Sequence, residues 1–133
     1  MSGPVDRKQF DRITEQDAFE AEQVFLACMF ANNALIAESG IEPEDFSEEY
    51  HQMLFREAQE LASTGQPVNA ISIKPHIPKV IRTANNQDII TAEYNTGLMS
   101  MGFDVSTMGR LESSIHIIKG ASLSRLLAHE ADI

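Results

Sequence analysis

The sequence predicts an all-α fold, in which a compact helical globule is followed by a C-terminal antiparallel helical hairpin. Three observations favour this class. Apolar residues recur at three- and four-residue steps in several stretches, and this spacing places them on one face of a helix. Capping residues, glycines and prolines bound these stretches. The 133 residues, 43% of them hydrophobic, are enough to bury a core of their own within one domain.

The first predicted helix spans about residues 15–32. Thr14 can cap its first backbone amides, and acidic residues follow at the positive end of the helix dipole. Asn32-Asn33 predicts a bend, after which residues 34–38 form a helical turn that Gly40 closes. The apolar face of the first helix is broad, as expected of a central helix, and comprises Phe19, Ala21, Val24, Phe25, Leu26, Cys28, Met29, Phe30 and Ala31.

The clearest predicted element is an amphipathic helix that starts after Ser47, its predicted N-cap. Gly65 can adopt the left-handed conformation that ends a helix, and Pro67 prevents continuation. Between these signals the apolar face includes Tyr50, Met53, Leu54, Ala58 and Leu61. The apolar faces of the two helices, with the loop before the second, predict a structural core at Phe25, Phe46, Leu54, Phe55 and Leu61.

The N-terminal part of the chain divides into an arm and a globule. Residues 1–13 are too polar to pack well and are predicted to form a flexible arm. Residues 14–87 form the predicted globular part. Its last stretch, residues 68–87, has the weakest pattern, because Pro75 and Pro78 interrupt the apolar series. This interruption favours short helical pieces over strands.

Residues 88–133 are predicted to form the helical hairpin of the same domain. Its two helices, at about 88–101 and 107–129, are joined by a five-residue loop, which is typical of antiparallel neighbours. The apolar stripe of the second helix is too wide for a single neighbouring helix to cover. We therefore expect the chain to self-associate through this hairpin, at Leu111, Ile115, Ile118 and Leu126.

Charge and hydropathy exclude several function classes. The net charge is −10, and the first 66 residues carry 14 acidic and 4 basic side chains, whereas residues 67–133 carry 6 of each. Nucleic-acid affinity rests mainly on lysine and arginine, so we expect no direct nucleic-acid binding. The acidic half is either a solvated face or a surface that steers a basic partner. No membrane-spanning stretch or secretion signal is present, which predicts a cytoplasmic protein without membrane contact.

The motifs of catalysis and cofactor binding are absent from the sequence. There is no Gly-x-x-x-x-Gly-Lys-Ser/Thr loop and no Gly-x-Gly-x-x-Gly, so neither ATP nor a dinucleotide is an expected cofactor. Cys28 lies in an apolar stretch, where a thiol acts as a small hydrophobe. We predict no catalytic, cofactor-binding or metal-binding residue. The four histidines are scattered and are predicted to be surface or partly packed side chains: His51, His76, His116 and His129.

Several short motifs, taken in order, resemble the N-terminal domain of the DnaB-type replicative DNA helicases. That family typically shows Glu-Ala-Glu-Gln, Asn-x-Ala, Pro-x-Asp-Phe, a His followed by a Phe, and Gly-x-Pro-Val-Asp. The matching residues here are Glu20-Ala21-Glu22-Gln23, Asn32-Asn33-Ala34, Pro43-Glu44-Asp45-Phe46, His51, Phe55 and Gly65-Gln66-Pro67-Val68-Asn69. The resemblance covers about residues 18–74. Beyond it, Pro75 and Pro78 fall where the family usually has a regular helix, and only Lys119 and Arg125 match its more basic last helix.

The resemblance implies a collar domain without the ATPase motor. In the family the domain supports assembly of the hexameric helicase, as a dimer or as a trimer of dimers, and primase or a helicase loader docks on it. We favour a domain excised from a full helicase. Two alternatives remain: a stand-alone relative, of a kind that a phage could encode, which binds a host helicase or primase as decoy or loader, and an unrelated helical adaptor.

Overall fold

The computed structural model describes residues 14–83 and 85–131, and within them most residues are helical. The α-helices are α1 (Glu15–Ala31), α2 (Leu35–Glu38), α3 (Glu49–Ser63), α4 (Ala70–Ile73), α5 (Thr91–Gly102), α6 (Val105–Met108) and α7 (Leu111–Ala131). Two 3₁₀ helices, Pro43–Asp45 and Lys74–His76, and two strands, β1 (Val80–Arg82) and β2 (Asp88–Ile90), complete the elements described. The all-α class predicted from the sequence is confirmed. The predicted flexible arm, residues 1–13, lies outside the described residues.

Helix α1 is the centre of the fold. Its start is the predicted one: the Asp17 amide donates to Thr14 Oγ1 at 3.0 Å, and the Thr14 amide donates to Asp17 Oδ2 at 3.1 Å, which completes a capping box. From Val24 to Phe30 every side chain of α1 is buried. A helix that is apolar all round must be covered on several sides, and α5 and α7 both pack along α1.

Three phenylalanines form the middle of the hydrophobic core. The Phe25 ring lies 5.7 Å from that of Phe55 and 6.0 Å from that of Phe46, and the Phe46 and Phe55 rings are 5.4 Å apart. Such tilted and edge-on contacts are the favoured geometry of aromatic pairs. Leu54 and Leu61 of α3 are buried in the same cluster. The five residues predicted as core from the sequence therefore all lie in it.

The ends of α3 agree only partly with the sequence prediction. Gly65 has a φ of +80°, the left-handed conformation predicted to follow the helix. The predicted N-cap at Ser47 is wrong, because the helix begins one residue later, with Glu48 at the cap position. The Ser47 hydroxyl instead donates to the carboxylate of Glu22 on α1, at 2.6 Å. A local capping signal was thus overridden by a tertiary contact.

The prediction of helical pieces alone between residues 68 and 87 is partly wrong. Helix α4 and the second 3₁₀ helix are present, but β1 and β2 then form an antiparallel hairpin in which Ile81 pairs with Ile89. Pro78 ends the helical stretch, and the β-branched residues on both strands suit an extended backbone. Asn86, with a φ of 61°, lies in the turn between the strands. Each strand is only three residues long, which is too short for an alternating apolar pattern to predict it from the sequence.

The C-terminal part differs from the predicted hairpin in its packing. Helices α5 and α7 run in opposite directions, but each packs mainly against α1 and not against the other. Tyr94 and Gly102 of α5 lie beside Gln23 and Ala27 of α1, in that order, so α5 runs parallel to α1. The short helix α6 spans the end of the predicted loop and the predicted start of the last helix, which begins after α6 and not at residue 107. Each of these two helices therefore has α1, and not the other helix, as its main packing partner.

Candidate functional site

The four residues predicted for self-association do not form one exposed stripe. Leu111 and Ile115 are half-buried and Leu126 is exposed, but Ile118 is fully buried in the chain's own core. The prediction that Ile118 contributes to a contact between chains is therefore corrected. The reason is that the first half of α7 turns its apolar stripe toward α1, which the predicted hairpin geometry did not allow for.

The C-terminal half of α7 carries a different apolar surface. Leu123, Leu126 and Leu127 are each 55% exposed. Their spacing of three and four residues places them on one face of the helix, which we call the leucine face. None of the described side chains of α7 after Ile118 is buried. The leucine face is thus an apolar surface that the described part of the chain leaves open to solvent.

Beside the leucine face, one carboxylate links α7 to the body of the domain. Lys119 Nζ donates to Asp45 Oδ2 at 2.7 Å, and Ser122 Oγ donates to Asp45 Oδ1 at 2.8 Å. The Arg125 guanidinium donates to the main-chain oxygen of Asp45 at 2.7 Å. Burial raises the pKa of Asp45, but hydrogen bonds from Lys119, the Glu42 amide and Ser122 outweigh this effect and hold the pKa below its usual value. We call Asp45, Lys119, Ser122 and Arg125 the Asp45 cluster.

A second exposed apolar surface lies where α5 joins α6. Phe103 is 71% exposed, Val105 is 77% exposed, and Met108 is also exposed. Asp104 caps α6 by accepting a hydrogen bond from the Ser106 amide at 2.9 Å, which gives this connection a defined shape. These three apolar residues, called the α5–α6 knob, are a separate candidate contact surface.

A buried polar network joins α1, α3 and α5. The Glu22 carboxylate accepts hydrogen bonds from the Ser47 amide at 2.8 Å and from His51 Nδ1 at 2.8 Å, in addition to the Ser47 hydroxyl. An ionised carboxylate only accepts, so Nδ1 carries a proton, and in the neutral imidazole His51 Nε2 then accepts from the Tyr94 hydroxyl at 2.7 Å. Burial raises the pKa of Tyr94 to about 12. Glu22 thus supplies the N-terminal anchor of α3 that Ser47 was predicted to supply.

The network contradicts the prediction that His51 is a surface or partly packed side chain, because His51 is fully buried. The Phe19 ring stacks on it with centroids 5.2 Å apart. The pKa of Glu22 is raised by burial but lowered more by hydrogen bonds from His51 and Ser47, so the carboxyl stays ionised. His51 therefore has both ring nitrogens engaged and acts as a structural link between helices.

Within residues 14–83 and 85–131 there is no cluster of three or more potential metal-ligating side chains. Cys28 is buried on α1, and burial raises the pKa of its thiol, which keeps it protonated. A cleft of about 820 Å³ borders the N-terminal ends of α1 and α3, but its histidine is the engaged His51. In the same residues, no helix is long and apolar enough to cross a membrane.

The comparison with protein families decides the identity of the fold. The family model described as the DnaB-like helicase N-terminal domain matches residues 14–119. The chain belongs to this family. The resemblance predicted from the short motifs is thereby confirmed, and the matched range extends past the residues that carried those motifs. No curated protein matches the chain in sequence.

A solved structure supports the same fold for this DnaB-like domain. The N-terminal domain of the DnaB helicase from Helicobacter pylori matches with a TM-score of 0.67 and 23% sequence identity, over 97% of this chain and 94% of that one. At this identity the likeness concerns the fold. The Helicobacter pylori structure was described together with the interactions of that domain with primase.

Two of the family motifs in this DnaB-like domain contribute to the two polar clusters. Glu22, from Glu20-Ala21-Glu22-Gln23, meets His51 in the buried network, and Asp45, from Pro43-Glu44-Asp45-Phe46, bonds to α7. The sequence predicted no long-range partner for either carboxylate. A signal for Glu22 was available, because it shares a helical face with Ala18, Phe25 and Met29, all of them buried. For Asp45 the sequence held no such signal, since its partners on α7 are 74 or more residues away.

Proposed function

We propose that this chain is a non-catalytic assembly and docking domain of the replicative-helicase type. It pairs with a second copy through the leucine face, and it presents a separate surface to primase or a helicase loader. The family membership supports the helicase context, and the family model that matches is that of the N-terminal domain. The observation that carries the pairing is the leucine face itself, three half-exposed leucines on the helix that ends the described structure.

The leucine face is suited to a weak, self-complementary contact. Burying a whole leucine side chain contributes about 1.5–3 kcal/mol, so covering the remaining exposed half contributes on the order of 1 kcal/mol for each leucine. When two copies of α7 pack about a twofold axis, the same three leucines are covered on both sides. A contact of this size is weak between free domains, and linking several domains into one ring strengthens it through effective concentration.

Replacing Leu126 with glutamate should abolish pairing while the domain stays folded. The new carboxylate would have to be desolvated in the contact, whereas in the single chain it faces water. Sedimentation velocity over a micromolar concentration series measures the effect, and circular dichroism checks the helices. Ile71→Glu is the matched control, because Ile71 is 84% exposed on α4 and should leave pairing unchanged. A wild-type chain that remains monomeric when the series is extended to millimolar concentration contradicts the proposed pairing.

For the docking of primase, we propose the α5–α6 knob as the contact surface. Its support is the exposure of Phe103 and Val105, together with the interaction with primase described for the Helicobacter pylori domain. An exposed aromatic side chain beside aliphatic ones is a common centre of protein–protein contacts.

Replacing Val105 with glutamate should weaken primase binding at least tenfold and leave self-association intact. The reason is that a charge at the centre of an apolar contact is costly to desolvate. Isothermal titration calorimetry with the cognate primase provides the measurement, and Ile71→Glu serves again as the control. Primase binding of unchanged affinity in the Val105 variant would assign docking to another surface.

A further inference from the structure

We propose that Asp45 is a positioning residue for the leucine face: it fastens the C-terminal half of α7 to the body of the domain and so fixes the direction in which the leucines point. Only the expected effect on pairing rests on the proposed function. The fastening itself can be measured on the single chain.

The two halves of α7 are held in different ways. In the first half, Ser114 and Ile118 are buried against the rest of the domain. In the second half, none of the described side chains is buried, and the side-chain hydrogen bonds that reach the body from Lys119, Ser122 and Arg125 all end on Asp45. Because no described side chain here is more than partly buried, these polar contacts are important for the position of this stretch of helix.

Asp45 is itself held rigidly. Its carboxylate accepts a hydrogen bond from the Glu42 amide at 2.8 Å within the 3₁₀ helix, and the next residue, Phe46, is fully buried in the aromatic core. The Gln52 side chain donates to the Phe46 main-chain oxygen at 2.6 Å, which ties the turn to α3. The body side of the contact is therefore a fixed point, and α7 is the part that would move if the contact were lost.

The consequence concerns the energetics of pairing. Ser122 and Arg125 lie one turn apart and reach Asp45 from the same side of α7, while the leucines stay open to solvent. A helix end without such anchoring frays, and a surface on it must be ordered each time a partner binds. Because the Asp45 cluster already orders this part of α7 in the single chain, pairing does not carry that ordering cost. The affinity of the leucine face for a second copy therefore depends on Asp45, which is not part of that face.

The test compares variants on both sides of the contact. Asp45→Ala removes the carboxylate that accepts from Lys119 and Ser122 but keeps the main-chain oxygen that Arg125 bonds, and the double variant Ser122→Ala/Arg125→Ala removes two donors without touching the 3₁₀ helix. Glu44→Ala, an exposed neighbour, and Lys119→Arg, which keeps a donor, are the controls. Hydrogen exchange by mass spectrometry follows the amides of residues 119–128, with those of α1 as internal reference, and sedimentation follows pairing.

We expect exchange in residues 119–128 to rise roughly tenfold in both test variants, with α1 and both controls unchanged. Pairing should weaken several-fold in the same two variants. Unchanged exchange in the folded variants overturns the fastening. Faster exchange with wild-type pairing overturns the positioning role. If the wild type does not pair at all but exchange rises as expected, the proposed pairing fails and the fastening by Asp45 stands.

Discussion

Replacing Glu22 with alanine should lower the free energy of unfolding by about 2–4 kcal/mol, because it removes the carboxylate that accepts from His51 and Ser47 and leaves the buried His51 donor unsatisfied. The fully buried His51 would then lose the acceptor of its Nδ1, and the amide of Ser47, an exposed residue, would lose its bond to α1. Because Ser47 directly precedes Glu48, the cap residue of α3, the start of that helix would be released as well. Urea denaturation followed by circular dichroism measures the loss.

Glu20→Ala is the matched control for this substitution. Glu20 lies on the same helix but is exposed, and its hydrogen bond to Gln16 is a surface contact between neighbouring turns. Its removal should change the unfolding free energy by about 0.5 kcal/mol or less. Equal effects of the two substitutions would mean that the Glu22 network contributes nothing beyond helix propensity.

The same network gives stability a defined dependence on pH. The pKa of Glu22 in the folded chain lies below its ordinary value of 4.5. A lowered carboxyl pKa stabilises the folded state above the unfolded pKa, and this contribution disappears as the pH falls through the folded pKa. The wild type should therefore lose stability below about pH 4.5, and the Glu22 variant should lose less over the same interval.

The parts of the fold that the sequence could predict are those set by local rules. The Thr14 cap, the left-handed Gly65 and the apolar faces of α1 and α3 each depend on residues within a few positions of one another. The aromatic core followed from these faces, because two strongly apolar helix faces in a small domain must bury each other. Local capping and helical periodicity therefore accounted for the centre of the globule.

The parts that could not be predicted depend on contacts between distant residues. The position of Ile118 along its helix fits both an exposed and a buried apolar stripe. Only the packing of α7 on α1 shows that Ile118 is buried. His51 was predicted to be a surface or partly packed side chain, and its partner Glu22 lies 29 positions away, beyond the reach of a local pattern. The leucine face could be recognised as a separate surface only after the structure showed that the first half of α7 is covered by α1. Helical periodicity gives the face of a helix but not the neighbour that covers it.

Glycine at position 102 allows the closest approach of α5 to α1. A Cβ atom built at Gly102 would lie 2.9 Å from the carbonyl carbon of Ala27 and 3.3 Å from Cβ of Ala31, and it would overlap the Ala27 carbonyl oxygen. The atoms of Ala27 belong to the backbone of the central helix, which cannot move aside as the end of a flexible side chain can. An added methyl group must therefore push the two helices apart.

Gly102→Ala should consequently lower the free energy of unfolding by about 1–3 kcal/mol, the usual cost of overpacking a close contact. Gly97→Ala, on the same helix, is the control with the opposite sign. Gly97 is exposed and an added Cβ there meets no atom within 4 Å, so alanine should stabilise the helix by about 0.5–1 kcal/mol. Parallel urea titrations of both variants give the two differences. If both substitutions stabilise the domain, α5 does not approach α1 as closely as described, and the packing of α5 along the central helix is wrong.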